Sequence, residues 1–282
     1  MKEIQKTGHV KFLTQGGGFF SLYFCVLSMV IECYHRNLKP YIDLKRTSFV
    51  EGYNPYFDPI PVNPENPWDW WFEQEQPQPG EVMEEVEYGS TKNFKQDRQT
   101  WKQEDIPYAR MVADKYMKIK PHILKRADDY YNEFLKDKVV LGVMARGCEF
   151  NTYHPQCGTH SIESWMDAIK GIKIKHPEID LIFLVTEDST YIPIICEAYP
   201  ETLYLKDVFR RTNETMSFMI NTPLWPSMNS PRENHCNLLG EECLTQVLLL
   251  GKCDYMLVKL CGTSGGAVFL ANDNLKDVFY LS

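Results

Sequence analysis

Arg146 closes an apolar run, residues 139–145, and is followed at once by Gly147. A run of that kind, with charge before it and glycine after it, predicts a strand buried on both faces. In open α/β sheets, ligands bind outside the carboxyl ends of the strands. A guanidinium at such a tip suits a phosphate, which it can grip with two parallel N–H donors. A salt bridge to Glu149 or Asp188 would account for it as well. The apolar run 181–185 ends in Thr186-Glu187-Asp188, which brings Glu187 and Asp188 to the same edge. Carboxylates there can bind a ribose or a base, orient Arg146, or hold a metal. The spacing is not that of a DxD motif, so no essential divalent ion is expected. His154 and Glu149 follow Arg146 and are candidate proton acceptors for a hydroxyl, since such a base should titrate near neutrality. His160 reads as the start of a helix.

Glycine-rich segments are the other candidates. Gly16, Gly17 and Gly18 stand between a strand and a helix, where bare backbone lets a ligand or another chain segment come close. The pattern is not GxGxxG, and Asp43 is the only acidic residue near the usual dinucleotide spacing. The segment CGTSGGA, residues 261–267, lies in the same kind of place. Its backbone N–H groups with the Thr263 and Ser264 hydroxyls, and Gly265 beside them, could form an anion site, or simply a packing turn. It is not a Walker loop, because GxxxxGK[ST] is absent.

Positioning these groups requires a particular order of elements. A strand ending over residues 11–14, a helix over 22–36 and a strand over 41–44 form a βαβ unit. Residues 51–100 are rich in Pro, Asn and aromatics. Trp68, Trp70, Trp71 and Phe72 are too hydrophobic to leave in water, so this stretch reads as an ordered insertion, with its aromatics either packed inside or available to stack on an acceptor. Residues 84–98 read as polar and exposed. Residues 106–135 are helical by period, with Pro121 opening a second helix. After the run at 139–145 come a helix over 160–175, the strand 181–185, a helix over 190–199 and a strand over 202–205. A long loop leads to a helix over 241–252, a strand over 255–260, the glycine segment and a helix from 268. This alternation predicts an α/β chain with two Rossmann-like domains, residues 1–137 and 138–282, and a ligand cleft between them.

The net charge of −8 excludes a domain-wide basic field, so nucleic acid is not an expected partner. The nine cysteines form no CxxC pairs, which points to reduced thiols rather than a disulfide framework or a structural zinc site. No signal peptide is visible at the start. The apolar run from Phe19 to Ile31, about 13 residues, is too short to span a bilayer. A cytoplasmic location and no transmembrane segment are therefore expected.

The order in the second half resembles a known family: a strand-ending arginine with an acidic residue three on, a strand ending T-[ED]-D, then a helix, a strand opened by Asp254-Tyr255, and a Ser/Gly segment before a helix. This is similar to the GDP-fucose-dependent fucosyltransferases of GT-B type, the α1,6-fucosyltransferases and nodulation fucosyltransferases being nearer than the protein O-fucosyltransferases. GGGFFSLYF resembles the opening of that family's acceptor-side domain. Met144 stands where the family has a histidine, and Gly147 where it has a second arginine. The resemblance implies a GT-B fold and an inverting, metal-independent transfer of a deoxysugar, fucose or one like it, from a GDP-sugar to a glycan hydroxyl, with no cofactor. It implies that Arg146 binds the donor β-phosphate, that Glu187 and Asp188 contact the guanosine, that Thr263, Ser264 and Gly265 hold phosphates, and that the base falls near His154. The residues also leave open a nucleotide-sugar or glycan binding protein without turnover, and a NAD-dependent oxidoreductase.

Overall fold

The computed structural model describes residues 6–11, 18–44, 66–86, 105–147, 160–211 and 232–281. It divides into two compact units, one made of Met1–Ile123 with Arg232–Glu241, the other of Leu124–Pro231 with Glu242–Ser282. Among the described residues no helix is long and apolar enough to cross a membrane.

In the first unit, β1 (Thr7–Lys11), α1 (Phe19–His35) and β2 (Lys39–Asp43) form the expected βαβ unit, with β1 and β2 parallel. The strands begin earlier than the apolar pattern suggested, and so does the helix, because Phe19 and Phe20 are buried. α2 (Trp68–Trp71) and β3 (Phe72–Glu73) follow. β4 (Met83–Val86) then pairs parallel to β1, so the sheet order is β2-β1-β4. The sequence reading took this start of residues 84–98 for exposed polar chain. An edge strand needs only one face covered, and here only Val86 is buried, so MEEV shows no apolar run. α3 (Ile106–Tyr116) packs on α1, and β5 (Lys118–Ile119) pairs antiparallel with β3.

The aromatic insertion is core, and stacking on an acceptor is not open to its buried members. Trp68, Trp71 and Phe72 are at most 1% exposed. Trp68 stacks on Phe72 at 4.0 Å, and Trp71 meets Phe19 edge-on at 5.0 Å and donates its indole N–H to the Asn237 carbonyl at 2.8 Å. Gly240 lies against the same indole, where a Cβ would come within 2.5 Å of the ring. Asn66, buried just before α2, ties this cluster to β2. Its side-chain oxygen accepts from Leu44 N–H at 3.1 Å and its amide donates to the Ile42 carbonyl at 2.8 Å. Asn66→Ala should lower stability by about 2–4 kcal/mol, since it leaves the N–H groups of Leu44 and Trp68 without their acceptor, while the Ile42 carbonyl keeps the Gln74 amide. A denaturant midpoint shift with an unchanged slope is the measurement, and a shift under half a kilocalorie would contradict the clip.

The second unit begins within α4 (Pro121–Tyr130), which continues into a π-helical turn, Tyr131–Leu135. Asp137 takes φ +64, a left-handed conformation that Asp tolerates, and turns the chain into β6 (Val140–Met144). Then come α5 (Ile162–Lys175), β7 (Leu181–Val185), α6 (Tyr191–Ala198), β8 (Thr202–Leu203), α7 (His235–Leu250), β9 (Tyr255–Val258), α8 (Gly262–Phe269) and β10 (Asp277–Tyr280). All neighbouring pairs are parallel, in the order β10-β9-β6-β7-β8. Counted along the chain, that is the 3-2-1-4-5 order of a doubly wound sheet, which reverses direction between β6 and β9. One face of β6, Leu141 and Val143, with Ala145 just beyond the strand, packs with Trp165, Ile169 and Ile172 of α5 into the core of this unit.

α7 starts at His235, before the predicted 241. α8 starts at Gly262, before the predicted 268, so the glycine segment is helix rather than loop. Glycines lower helix propensity and hid it; burial of Gly262, Ser264, Gly266 and Ala267 outweighs that preference. β10 was not foreseen.

Candidate functional site

β6 is held at a fixed height by its neighbours. At its start, Val139 N–H donates to the Asp180 carboxylate at 2.8 Å, and Val140 N–H donates to that of Asp254 at 2.9 Å. The Asp180 and Asp254 N–H groups donate back to the Val139 and Val140 carbonyls at 2.9 and 3.1 Å. At its far end, Ala145 N–H donates to the Val185 carbonyl at 2.9 Å. Arg146 is the next residue, so the register of the sheet delivers its guanidinium at the carboxyl edge, beside the strand-order reversal where doubly wound sheets bind ligands.

Glu187, at the tip of β7, grips that end of β6 twice. Its Oε1 accepts from Gly147 N–H at 2.9 Å, and its Oε2 lies 3.5 Å from Arg146 Nη1. The side chains of Arg146 and Glu187 are 24% and 16% exposed, so the pair is partly shielded from water and its geometry is worth more than that of a surface ion pair. Of the roles open to a carboxylate here, the one the geometry displays is orienting Arg146.

Asp188 is 2% exposed and shapes the turn. Its Oδ1 accepts from Thr190 N–H at 2.9 Å and Thr190 Oγ1 at 2.6 Å, and its own N–H donates to Thr186 Oγ1 at 3.1 Å. It also abuts Gly147, where a Cβ would come within 2.7 Å of Asp188 Oδ2 and closer still to Asp188 Cβ. The space that Gly147 leaves is therefore filled by Asp188, not open to a ligand. The segment after β8 is laid on the same turn. Arg211 N–H donates to the Glu187 carbonyl at 2.8 Å, and its carbonyl accepts from Ser189 N–H at 3.0 Å and Ser189 Oγ at 2.7 Å.

β9 brings a second cation to the edge. Lys259 follows its last residue and is 2% exposed. Leu260, next to it, is 43% exposed. Burial and, less strongly, the Lys259 charge lower the pKa of His160, which precedes the Ser161 cap of α5. Cys261 caps α8, and the Ser264 hydroxyl closes the cap by accepting from Cys261 N–H and donating to the Cys261 carbonyl, each at 2.9 Å. Ser264 is 1% exposed, so its hydroxyl serves the helix start, while Thr263 and Gly265 lie in the same first turn. Cys243 of α7 feels both Arg146 and Cys261. Burial pushes its thiol up to about 12, Arg146 pulling the other way, so it stays protonated near neutrality.

Arg146, Glu187 and Asp188 are thus brought together, and Thr263, Ser264 and Gly265 stand at the same edge of the sheet. Glu149 and His154, the expected bases, lie outside the described residues, as do Gly16 and Gly17. Gly18 is the N-cap of α1 in the first unit. The sequence reading passed over Lys259 and Arg211. For Lys259 a signal existed: a charge directly after a buried strand, as at Arg146.

No family model and no curated protein matches the chain. Solved structures do. The fucosyltransferase NodZ from Bradyrhizobium is 14% identical with a TM-score of 0.54, over 95% of this chain and 94% of that one. NodZ α1,6-fucosyltransferase soaked with GDP-fucose aligns at 13% identity and TM-score 0.54, over 95% and 93%. POFUT1 in complex with GDP aligns at 11% identity and TM-score 0.50, over 100% of both chains. At these identities the likeness speaks for the fold, and the mixed α/β fold with parallel sheets described above is the one these fucosyltransferases share.

Proposed function

We propose that the chain is a GT-B glycosyltransferase that moves a deoxysugar, fucose or a close relative, from a GDP-sugar to a glycan hydroxyl, with inversion and without a metal cofactor. The observation that carries this is Arg146, set by the sheet register at the carboxyl edge and held by Glu187, in a fold shared with a chain solved with GDP-fucose. In this reading residues 138–282 take the donor and residues 1–137 serve the acceptor.

The step is a direct displacement. The acceptor oxygen attacks the anomeric carbon, the bond from that carbon to the β-phosphate oxygen breaks, and GDP leaves with the electron pair. The hydroxyl proton passes to a base, for which His154 and Glu149 remain the candidates. Negative charge grows on the leaving diphosphate, and a fixed guanidinium aimed at it stabilises the transition state more than the ground state. The N–H groups at the start of α8 favour the same charge. Leu260 offers an apolar surface at that edge for the base or the sugar.

A thermal-shift panel of GDP, UDP, CDP and NADH tests the donor class. GDP alone should raise the melting temperature by several degrees, because a ligand at 100 times its dissociation constant adds ~2.7 kcal/mol. Stabilisation by NADH and none by GDP would replace this reading with an oxidoreductase. GDP binding with no GDP released from GDP-fucose across a broad acceptor panel would leave a binding protein.

A further inference from the structure

We infer that Trp70 is the surface on which a pyranose ring of the acceptor glycan stacks. This deepens the reading of the first unit as the acceptor side and rests on it.

The position follows from one helical turn. Trp68 and Trp71, three residues apart, share the inward face of α2, and both are buried. Asp69 and Trp70 between them are left on the outward side, and both are partly exposed. α2 stands at the carboxyl edge of the first sheet, the edge at which parallel sheets bind ligands. Asn66, two residues before the helix, accepts from the N–H of Leu44, which follows β2, and Trp71 meets Phe19, the first residue of α1.

The ring of Trp70 is held at its edge and not at its face. Its indole N–H donates to Glu241 Oε2 at 3.1 Å, and the same oxygen lies 3.5 Å from His122 Nε2. Glu241 and His122 both belong to the first unit. Trp68 stacks on Phe72 and Trp71 meets Phe19, whereas Trp70 packs on no aromatic ring or cation among the described residues. The other outward residue, Asp69, is engaged by the amides of Gln74 and Gln76 at 2.8 and 3.2 Å. Elsewhere in the unit, the partly exposed rings of Tyr34, Tyr108 and Tyr116 pack on one another and on the Lys115 ammonium.

An indole whose N–H is already paired offers a ligand the apolar face of its ring, fixed before binding, so little side-chain freedom is lost. Beside it stand the Glu241 carboxylate, which accepts hydrogen bonds, and the exposed His122 imidazole. An apolar face bordered by such groups fits a sugar ring, which carries C–H groups on its faces and hydroxyls at its rim. A phosphate or nucleotide would meet the like charge of Glu241.

An array of printed oligosaccharides probed with fluorescently labelled wild type, W70A and W70F, with a melting curve and GDP calorimetry for each, tests the inference. Wild type should bind a subset of the array. W70A should bind that subset at least about tenfold more weakly, the loss typical of an aromatic anchor. W70F, which keeps a flat ring without the N–H, should lose less. Both variants should melt near the wild type, because Trp68 and Trp71 carry the packing of α2, and both should bind GDP with unchanged affinity. Wild type that binds no oligosaccharide, W70A that binds as tightly as wild type, or W70F no tighter than W70A overturns the inference. So does a W70A that does not fold, which would place the ring in the architecture, or one that loses GDP as well. Wild type that takes an oligosaccharide through Trp70 but does not bind GDP overturns the donor reading and leaves Trp70 a glycan contact.

Discussion

Arg146→Ala should reduce sugar transfer by about 10²–10³-fold, the loss seen when one fixed donor to a developing negative charge is removed. The effect is large because, among the described residues at the tip of β6, none can take its place: Gly147 has no side chain, and Asp188, which fills the neighbouring space, carries the wrong charge. Two costs must be separated. Removing the guanidinium also leaves Glu187, 16% exposed, without its cation, which by itself destabilises the turn. That cost appears in the melting temperature, while the catalytic cost appears in kcat at saturating donor in a protein that is still folded. Loss confined to KM would mean that Arg146 binds donor and transition state equally well. An Arg146→Ala protein with full transfer activity would remove the residue from the mechanism.

The parts of this site legible in the sequence were those written as buried strands. VLGVM and LIFLV carry their own signal, because both faces of a central parallel strand are covered, and their ends place Arg146 and Glu187 without further information. Edge strands were not legible: MEEV in the first unit and DVFY at the end of the chain each cover too little apolar surface to stand out. The start of α8 was misread because glycine is a loop residue by propensity, while here its burial against the unit's interior decides. Partnerships were the least legible. The sequence left the partner of Arg146 open, between Glu149 and the carboxylates after residue 185, and Glu187, at the far end of the strand that pairs with β6, is the one seen to meet it. Arg211 is further still from any local signal, because its place depends on main-chain bonds to a turn at the end of another strand. The aromatic cluster was ambiguous for a related reason. Composition says that Trp68 and Trp71 must leave water, but not whether protein or ligand covers them; Asn237 and Phe19 settle that it is protein.

Gly147→Arg restores, on paper, the second arginine of the family that this sequence resembles, and it should fail. The new Cβ would come within 2.7 Å of Asp188 Oδ2 and closer to Asp188 Cβ, distances at which atoms must move. Neither side can yield cheaply. Glu187 accepts from Gly147 N–H, which fixes one backbone, and Asp188 is fixed by three hydrogen bonds within its own turn. Gly147→Ala, which adds the Cβ alone, should therefore cost about 1–3 kcal/mol of stability, the usual range for overpacking a tight interior contact. It should also weaken GDP binding, because the displaced turn carries Glu187 and, with it, the orientation of Arg146. A double variant, Gly147→Ala with Asp188→Gly, distinguishes a steric clash from a general intolerance. Removing the opposing Cβ should make the two substitutions non-additive, the double variant being more stable than the sum of the single losses predicts. Recovery should be partial, since Asp188 Oδ1 no longer holds Thr190. Strict additivity of the two losses, or a Gly147→Arg protein with undiminished stability and GDP affinity, would show that the space beside β6 is not filled as described.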